Sequence, residues 1–133
     1  MKSLFVCLWV IGFAALTPHP LFAETSQTEK TVIREITPLG NDIYRFRNDQ
    51  HYSIFMVGKK GLLLTDPINA EAAAWLKAEI HKRWGDLPVE YVIYSHNHGD
   101  HVFGGEVFAG AETRFIAHEK AASDLARNHA PTR

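Results

Sequence analysis

From Thr31 onward the chain alternates apolar and polar positions over short distances. Thr31 to Ile36 is rich in β-branched residues and predicts a first strand. Asn41 to Arg47 predicts a second, with Tyr44 and Phe46 toward one face and Arg45 and Arg47 toward the other. Asn48-Asp49-Gln50 then turns, Tyr52 to Val57 returns as a third strand, and Gly58-Lys59-Lys60-Gly61 leads into a fourth, Leu62 to Thr65. Short strands joined by tight polar turns make an antiparallel meander.

The period changes at Asp66-Pro67. Asn69 is a good N-cap and Glu71 falls in the first turn, where an acidic side chain favours the helix dipole. Leu76, Ile80 and Trp84 recur at helical spacing, while Lys77, Glu79, His81 and Lys82 cover the outer face. Gly85 ends this helix and Pro88 prevents its resumption. Val89 to Ser95, apolar on both faces, predicts a strand central in its sheet. Beyond it come Gly104-Gly105, a short Glu106–Ala109 segment, a strand at Thr113 to Ala117, and an Ala-rich helix at Glu119 to Asn128. A meander followed by alternating strands and helices predicts an α/β (α+β) domain, a mixed sheet with its helices on one face.

The first residues do not belong to this pattern. Lys2 precedes an uncharged apolar run from Leu4 to Leu16, and Leu21-Phe22-Ala23 offers a cleavage site. As a helix the run would span about 20 Å, short of the roughly 30 Å hydrocarbon core of a bilayer. Residues 1–23 therefore read as a secretory signal peptide and residues 24–133 as the domain, secreted or periplasmic, with no membrane span after cleavage. The only cysteine, Cys7, lies in the apolar run, so the mature chain offers neither disulfides nor thiolate ligands. The full 133-residue chain, 46% hydrophobic and 22% charged, has the composition of a globular protein. A net charge of −1 without a basic block argues against nucleic acid as a partner.

Chemistry concentrates in Ser95-His96-Asn97-His98-Gly99-Asp100-His101, directly after the buried strand. His96 and His98 can reach one ion, because alternate residues of extended chain point the same way. Asp100 and His101 lie a turn further on and can reach a second, and Gly99 has no side chain to obstruct the bend. Imidazole with carboxylate suits zinc, with iron or manganese as alternatives. The plainer reading is a polar loop whose histidines only form hydrogen bonds; four metal-binding residue types at this spacing weigh against it.

His96, His98, Asp100 and His101, followed by Gly104-Gly105, resemble the signature of the metallo-β-lactamase superfamily. The meander, the helix and the buried strand are similar to the N-terminal half of that family's αβ/βα sandwich, and Asp66 resembles its supporting aspartate below the metals. The resemblance covers Thr31 to Asn128. It implies two zinc ions, one held by His96 and His98 and the other by Asp100 and His101, each joined by a later histidine, with a later carboxylate often bridging. Water activated between the metals would attack a carbonyl or ester centre of a small-molecule substrate, with Asp100 orienting that water and handling its proton. Members of the family cleave β-lactams, thioesters, lactones, sulfate esters or phosphodiesters, and some are redox enzymes, so the resemblance does not fix the substrate.

The remaining ligands are expected beyond Arg133, which makes this chain an N-terminal portion, inactive alone and with one apolar sheet face uncovered. His118, at a strand end, comes too early to match the third ligand, and His129 lies near the chain end. His51, in a hairpin, and His81, on a helix's wet face, are expected to be solvated. Two rival functions remain open: a metal-binding fragment without chemistry, and a di-iron redox member of the same family.

Overall fold

Six strands form because the polar turns and the buried apolar run fall where the sequence predicts them, with one displacement at the start. In the computed structural model, which describes residues 31–128, these are β1 (Arg34–Gly40), β2 (Ile43–Asn48), β3 (His51–Val57), β4 (Leu62–Thr65), β5 (Val89–Tyr94) and β6 (Arg114–Ala117). Residues 1–23, expected to be a signal peptide, and His129 lie outside the described residues. The strands lie side by side in chain order. β1 to β4 pair antiparallel, whereas β4–β5 and β5–β6 pair parallel. Parallel neighbours need long crossovers. Helix α1 (Ala70–Trp84) supplies the first; the short α2 (Gly99–Val102) and a 3₁₀ turn (Gly105–Phe108) supply the second. Helix α3 (Glu119–Asn128) follows β6. This is the mixed sheet with helices on one face. β5 is interior but second from the edge rather than central.

β1 begins three residues later than its β-branched composition predicts. Arg34 already pairs with Asn48, the last residue of β2, so Thr31 to Ile33 have no strand beside them. Ile33 instead bonds the turn: its N–H donates to Asp49 Oδ1 and its carbonyl accepts from Asp49 N–H, both at 2.8 Å. At the other end β1 runs through Pro38, which an edge strand tolerates because one side of its ladder is unpaired.

The core lies between the sheet and α1. Phe46, Phe55, Leu64 and Val92 are fully buried on the sheet and meet Ala72, Ala73, Leu76 and Ile80 of the helix. Each large side chain buried there contributes about 1.5–3 kcal/mol. Trp75 stacks on Phe46 at 5.6 Å, and Trp84 closes edge-on against Tyr44 at 4.9 Å. The helix starts and stops as predicted. Asn69 accepts the Ala72 N–H at 2.8 Å, and Gly85 takes a positive φ of 79°.

The opposite face of the sheet carries Ile54, Met56 and Ile116, exposed by 37%, 37% and 43%. Registry sets Met56 beside Leu63 and Ile93 beside Ile116, so these form an apolar band. Arg45 and Arg47 lie over the Tyr52 ring at 5.3 and 5.9 Å and edge that band with charge. No helix among the described residues is long and apolar enough to cross a membrane.

Two glycines let the second crossover pack closely, one against the start of α1 and the other against β5. Gly104 has φ 88°, and a Cβ there would lie 2.5 Å from the backbone of Asn69. At Gly105 a Cβ would come within 2.1 Å of the Tyr94 hydroxyl. Gly104→Ala should lower stability by about 1–3 kcal/mol from the left-handed backbone alone, and more once the collision is added. Asn69→Ala, which removes only the cap, should cost about 1 kcal/mol. Urea midpoints of the two variants check the order.

Burial, followed by the charges of Glu106 and Asp66, raises the Tyr94 hydroxyl above its ordinary pKa of 10.0. The folded chain therefore holds that proton more tightly than the unfolded chain. Stability from this group is complete below pH 10 and is lost as pH rises through the folded value. Tyr94→Phe should flatten the alkaline fall in melting temperature.

Candidate metal centre

The site stands at the sheet edge where β4 and β5 end. Asp66, immediately after β4, is 8% exposed and has φ 39°. Its backbone N–H donates to Ile93 O at 3.0 Å, and its Oδ1 accepts from Ser95 N–H at 2.9 Å. The carboxylate thus fixes the backbone where β5 becomes the histidine loop. Its other oxygen, Oδ2, lies 3.2 Å from His101 Nδ1. A carboxylate at one imidazole nitrogen sets the ring's orientation and turns the second nitrogen toward the site.

His98 is the N-cap residue of α2, and its carbonyl accepts from His101 N–H and Val102 N–H at 3.0 and 3.1 Å. Asp100 and His101 therefore ride on the helix's opening turn. A Cβ at Gly99 would come within 2.6 Å of the half-exposed Phe103 ring, which would have to shift. Ser95 Oγ lies 2.9 Å from His96 Nδ1, which leaves that ring's Nε2 for other partners. The loop gathers its rings closely. Their centroids are 4.6 Å apart for His96–His98 and 3.9 Å for His96–His101. Asp100 Oδ2 stands 3.7 Å from His101 Nε2. Among the described residues, however, no three His, Cys, Asp or Glu side chains close into a ready-made coordination sphere.

His51 is exposed, as expected of a hairpin residue, and its Nε2 also lies 3.5 Å from Asp100 Oδ2, at the edge of the histidine loop. The signal was in the topology. β3 runs antiparallel to β4, so the first residue of β3 stands at the edge where β4 and β5 finish. His81 stays on the outer face of α1, paired with Asp86 at 2.8 Å. His118 caps α3, its Nδ1 accepting the Lys120 N–H at 3.2 Å and its carbonyl the Ala122 N–H at 2.9 Å. Between the loop and this cap lies a cleft of about 260 Å³ lined by Ser95, His96, Asn97, His118, Lys120 and Asp124. Asn97 Nδ2 donates to Asp124 Oδ2 at 3.3 Å across it.

Residues 46–118 match the model of the metallo-beta-lactamase superfamily, and the chain belongs to that superfamily. The fold is also that of solved structures. A metallo-beta-lactamase from Pontibacter korlensis superposes with TM-score 0.63 at 19% identity over 75% of this chain and 50% of that one. The metallo-beta-lactamase IND-7 gives 0.62 at 25% identity, over 77% and 50%. The sec-alkylsulfatase Pisa1 from Pseudomonas sp. gives 0.63 at 21% identity, over 74% of this chain and 17% of the sulfatase. This chain spans about half the length of the β-lactamases it matches. Comparison with curated proteins gave no match.

The donor set suits zinc: imidazoles and a carboxylate on one loop, with a buried carboxylate behind one ring. Asp66→Asn keeps an acceptor for Ser95 N–H but removes the charge facing His101. Zinc affinity should fall about 10–100-fold, with the circular dichroism spectrum unchanged. Calorimetric titration measures it, and unaltered affinity would show that Asp66 serves only the backbone.

Proposed function

We propose that this chain is the metal-binding portion of an exported zinc-dependent hydrolase acting on an ester, amide or related bond of a small molecule. The observation that carries the reading is the gathering of His96, His98, Asp100 and His101 at one strand end, braced from beneath by Asp66. His96 and His98 serve one ion, and Asp100 and His101 the other. Residues 1–23 act as the export signal, and residues 24–133 belong to the domain.

Zinc, when bound, supplies Lewis-acid polarisation and makes water acidic enough to ionise near neutral pH. The chain's own residues do the positioning. The Asp66 carboxylate faces Nδ1 of His101 at 3.2 Å, so a proton on that nitrogen would be held there and Nε2 left as the ring's lone-pair nitrogen. Asp100, half-exposed beside His101, orients the attacking water and takes its proton on the carboxylate. Ser95 holds the His96 ring through Nδ1.

These four residues give two donors per ion, and a catalytic zinc takes three protein ligands and an open position. Turnover by this chain alone should accordingly be low. A second reading, metal binding without chemistry, draws its support from the same incompleteness: no three donors close among the described residues.

Metal analysis of the purified protein should find two zinc equivalents. Asp100→Ala should lose one of them, keep the ion at His96 and His98, and abolish any hydrolysis of a β-lactam, thioester, lactone or aryl sulfate. A wild-type protein that takes up no zinc would refute the proposal. Zinc uptake without turnover on any of these substrates favours the second reading.

A further inference from the structure

We propose that the open face of the sheet docks a partner polypeptide whose contact surface is apolar at its centre and carries carboxylates at its rim. Strand register lays that face out in rows. One row runs Ile43, Met56, Leu63, Tyr91 and Arg114 from β2 to β6. The next runs Arg45, Ile54, Thr65, Ile93 and Ile116, with Ile54 N–H donating to Thr65 Oγ1 at 3.0 Å. A shorter third row sets Glu35, Arg47 and Tyr52 side by side.

A face built only for water would be polar here. Instead β4, β5 and β6, which are parallel neighbours, carry Leu63, Ile93 and Ile116 on the open side. Parallel strands are ordinarily covered on both faces. Ile54, Met56 and Ile116 are no more than 43% exposed, so the band is level rather than a set of projecting side chains. A level band suits a second layer packed about 10 Å away. Docking on a membrane instead sinks apolar side chains about 5–10 Å into the bilayer surface.

The rim decides what can cover the band. Arg45 and Arg47 flank it on β2, and Arg114 closes it on β6. Among the described residues none of these three forms an ion pair; the arginines that do are Arg34, Arg83 and Arg127. The carboxylate in these rows, Glu35, accepts from Thr37 Oγ1 at 3.1 Å. Two apolar rows across five strands cover about 300 Å², whereas a stable interface takes about 800 Å² on each partner. The partner must therefore reach past the band onto the arginines, and a guanidinium covered without a carboxylate is costly. A second copy of the chain does not meet that need. A two-fold axis along the strands stacks β2 over β6, and one across them stacks β2 over β2. Each brings arginine rim onto arginine rim.

The test uses two synthetic helical peptides with the same leucine face, one flanked by glutamates and the other by lysines. Binding to the purified protein is read by fluorescence anisotropy in low and high salt. The glutamate peptide should bind at least about tenfold more tightly than the lysine peptide, and the margin should shrink in high salt. Arg45→Gln/Arg47→Gln/Arg114→Gln should erase the margin, and Arg45→Glu/Arg47→Glu/Arg114→Glu should reverse it. Met56→Gln/Ile116→Gln should weaken both peptides, and Lys82→Glu, on the outer face of α1, should leave the margin unchanged. Circular dichroism checks that each variant keeps the fold. Failure of the glutamate peptide to bind, equal affinities for the two peptides, or a margin that survives the triple glutamine change would overturn the proposal. So would a dimer in sedimentation that Met56→Gln/Ile116→Gln dissolves, which assigns the face to a second copy. Capture by phosphatidylglycerol vesicles with neither peptide bound assigns it to a membrane and equally overturns the proposal.

Discussion

The Asp66 carboxylate is the constraint on which the site depends. One oxygen pins the backbone at Ser95, where β5 gives way to the histidine loop, and the other faces His101 at the far end of that loop. A single buried side chain thus spans the loop from entrance to exit. Ser95 to His101 encloses too few residues to have a core of its own, and its geometry is borrowed from β4 through this one group. Burial makes the arrangement consequential, because a carboxylate in low-dielectric surroundings must have partners.

The brace is itself held in place by packing. β4 lies between β3 and β5, and its Leu62 and Leu64 are buried against α1. The second crossover returns over the start of that helix, with Gly104 against the backbone of Asn69. Lys77 reaches from α1 to the carbonyl of Val107 at 2.7 Å. The histidine loop is therefore fixed on one side by a strand end and on the other by a helix N-terminus. Both are properties of the αβ layer alone.

Much of this was legible in the sequence because it rests on local chemistry. The N-cap at Asn69, the stop at Gly85 and the polar hairpin turn are each written within a few residues. The mixed sheet follows from the change of period at Asp66-Pro67. What sequence reasoning missed depends on pairing between distant segments. β1 slid toward Pro38 because β2 ends at Asn48, which composition at Thr31 to Ile33 does not reveal. His51 is solvent-exposed as its turn neighbours suggest, but its nearness to Asp100, brought about by strand direction, is not written in those neighbours. His118 was weighed as a strand-end residue, and its use of Nδ1 to cap α3 depended on where that helix began.

The backbone between β4 and α1 bears on how this protein can change under selection. Asp66 and Ile68 both have positive φ, 39° and 75°, although neither is glycine, and for a β-branched residue this is a costly conformation. Ile68 compensates in part by burying its side chain, which is 2% exposed. A lineage adapting only toward heat tolerance would gain from relaxing this segment, and in doing so would release the carboxylate from its post. Persistence of the strained pair through such adaptation would therefore record continued demand for the chemistry at the strand end, independently of any assay.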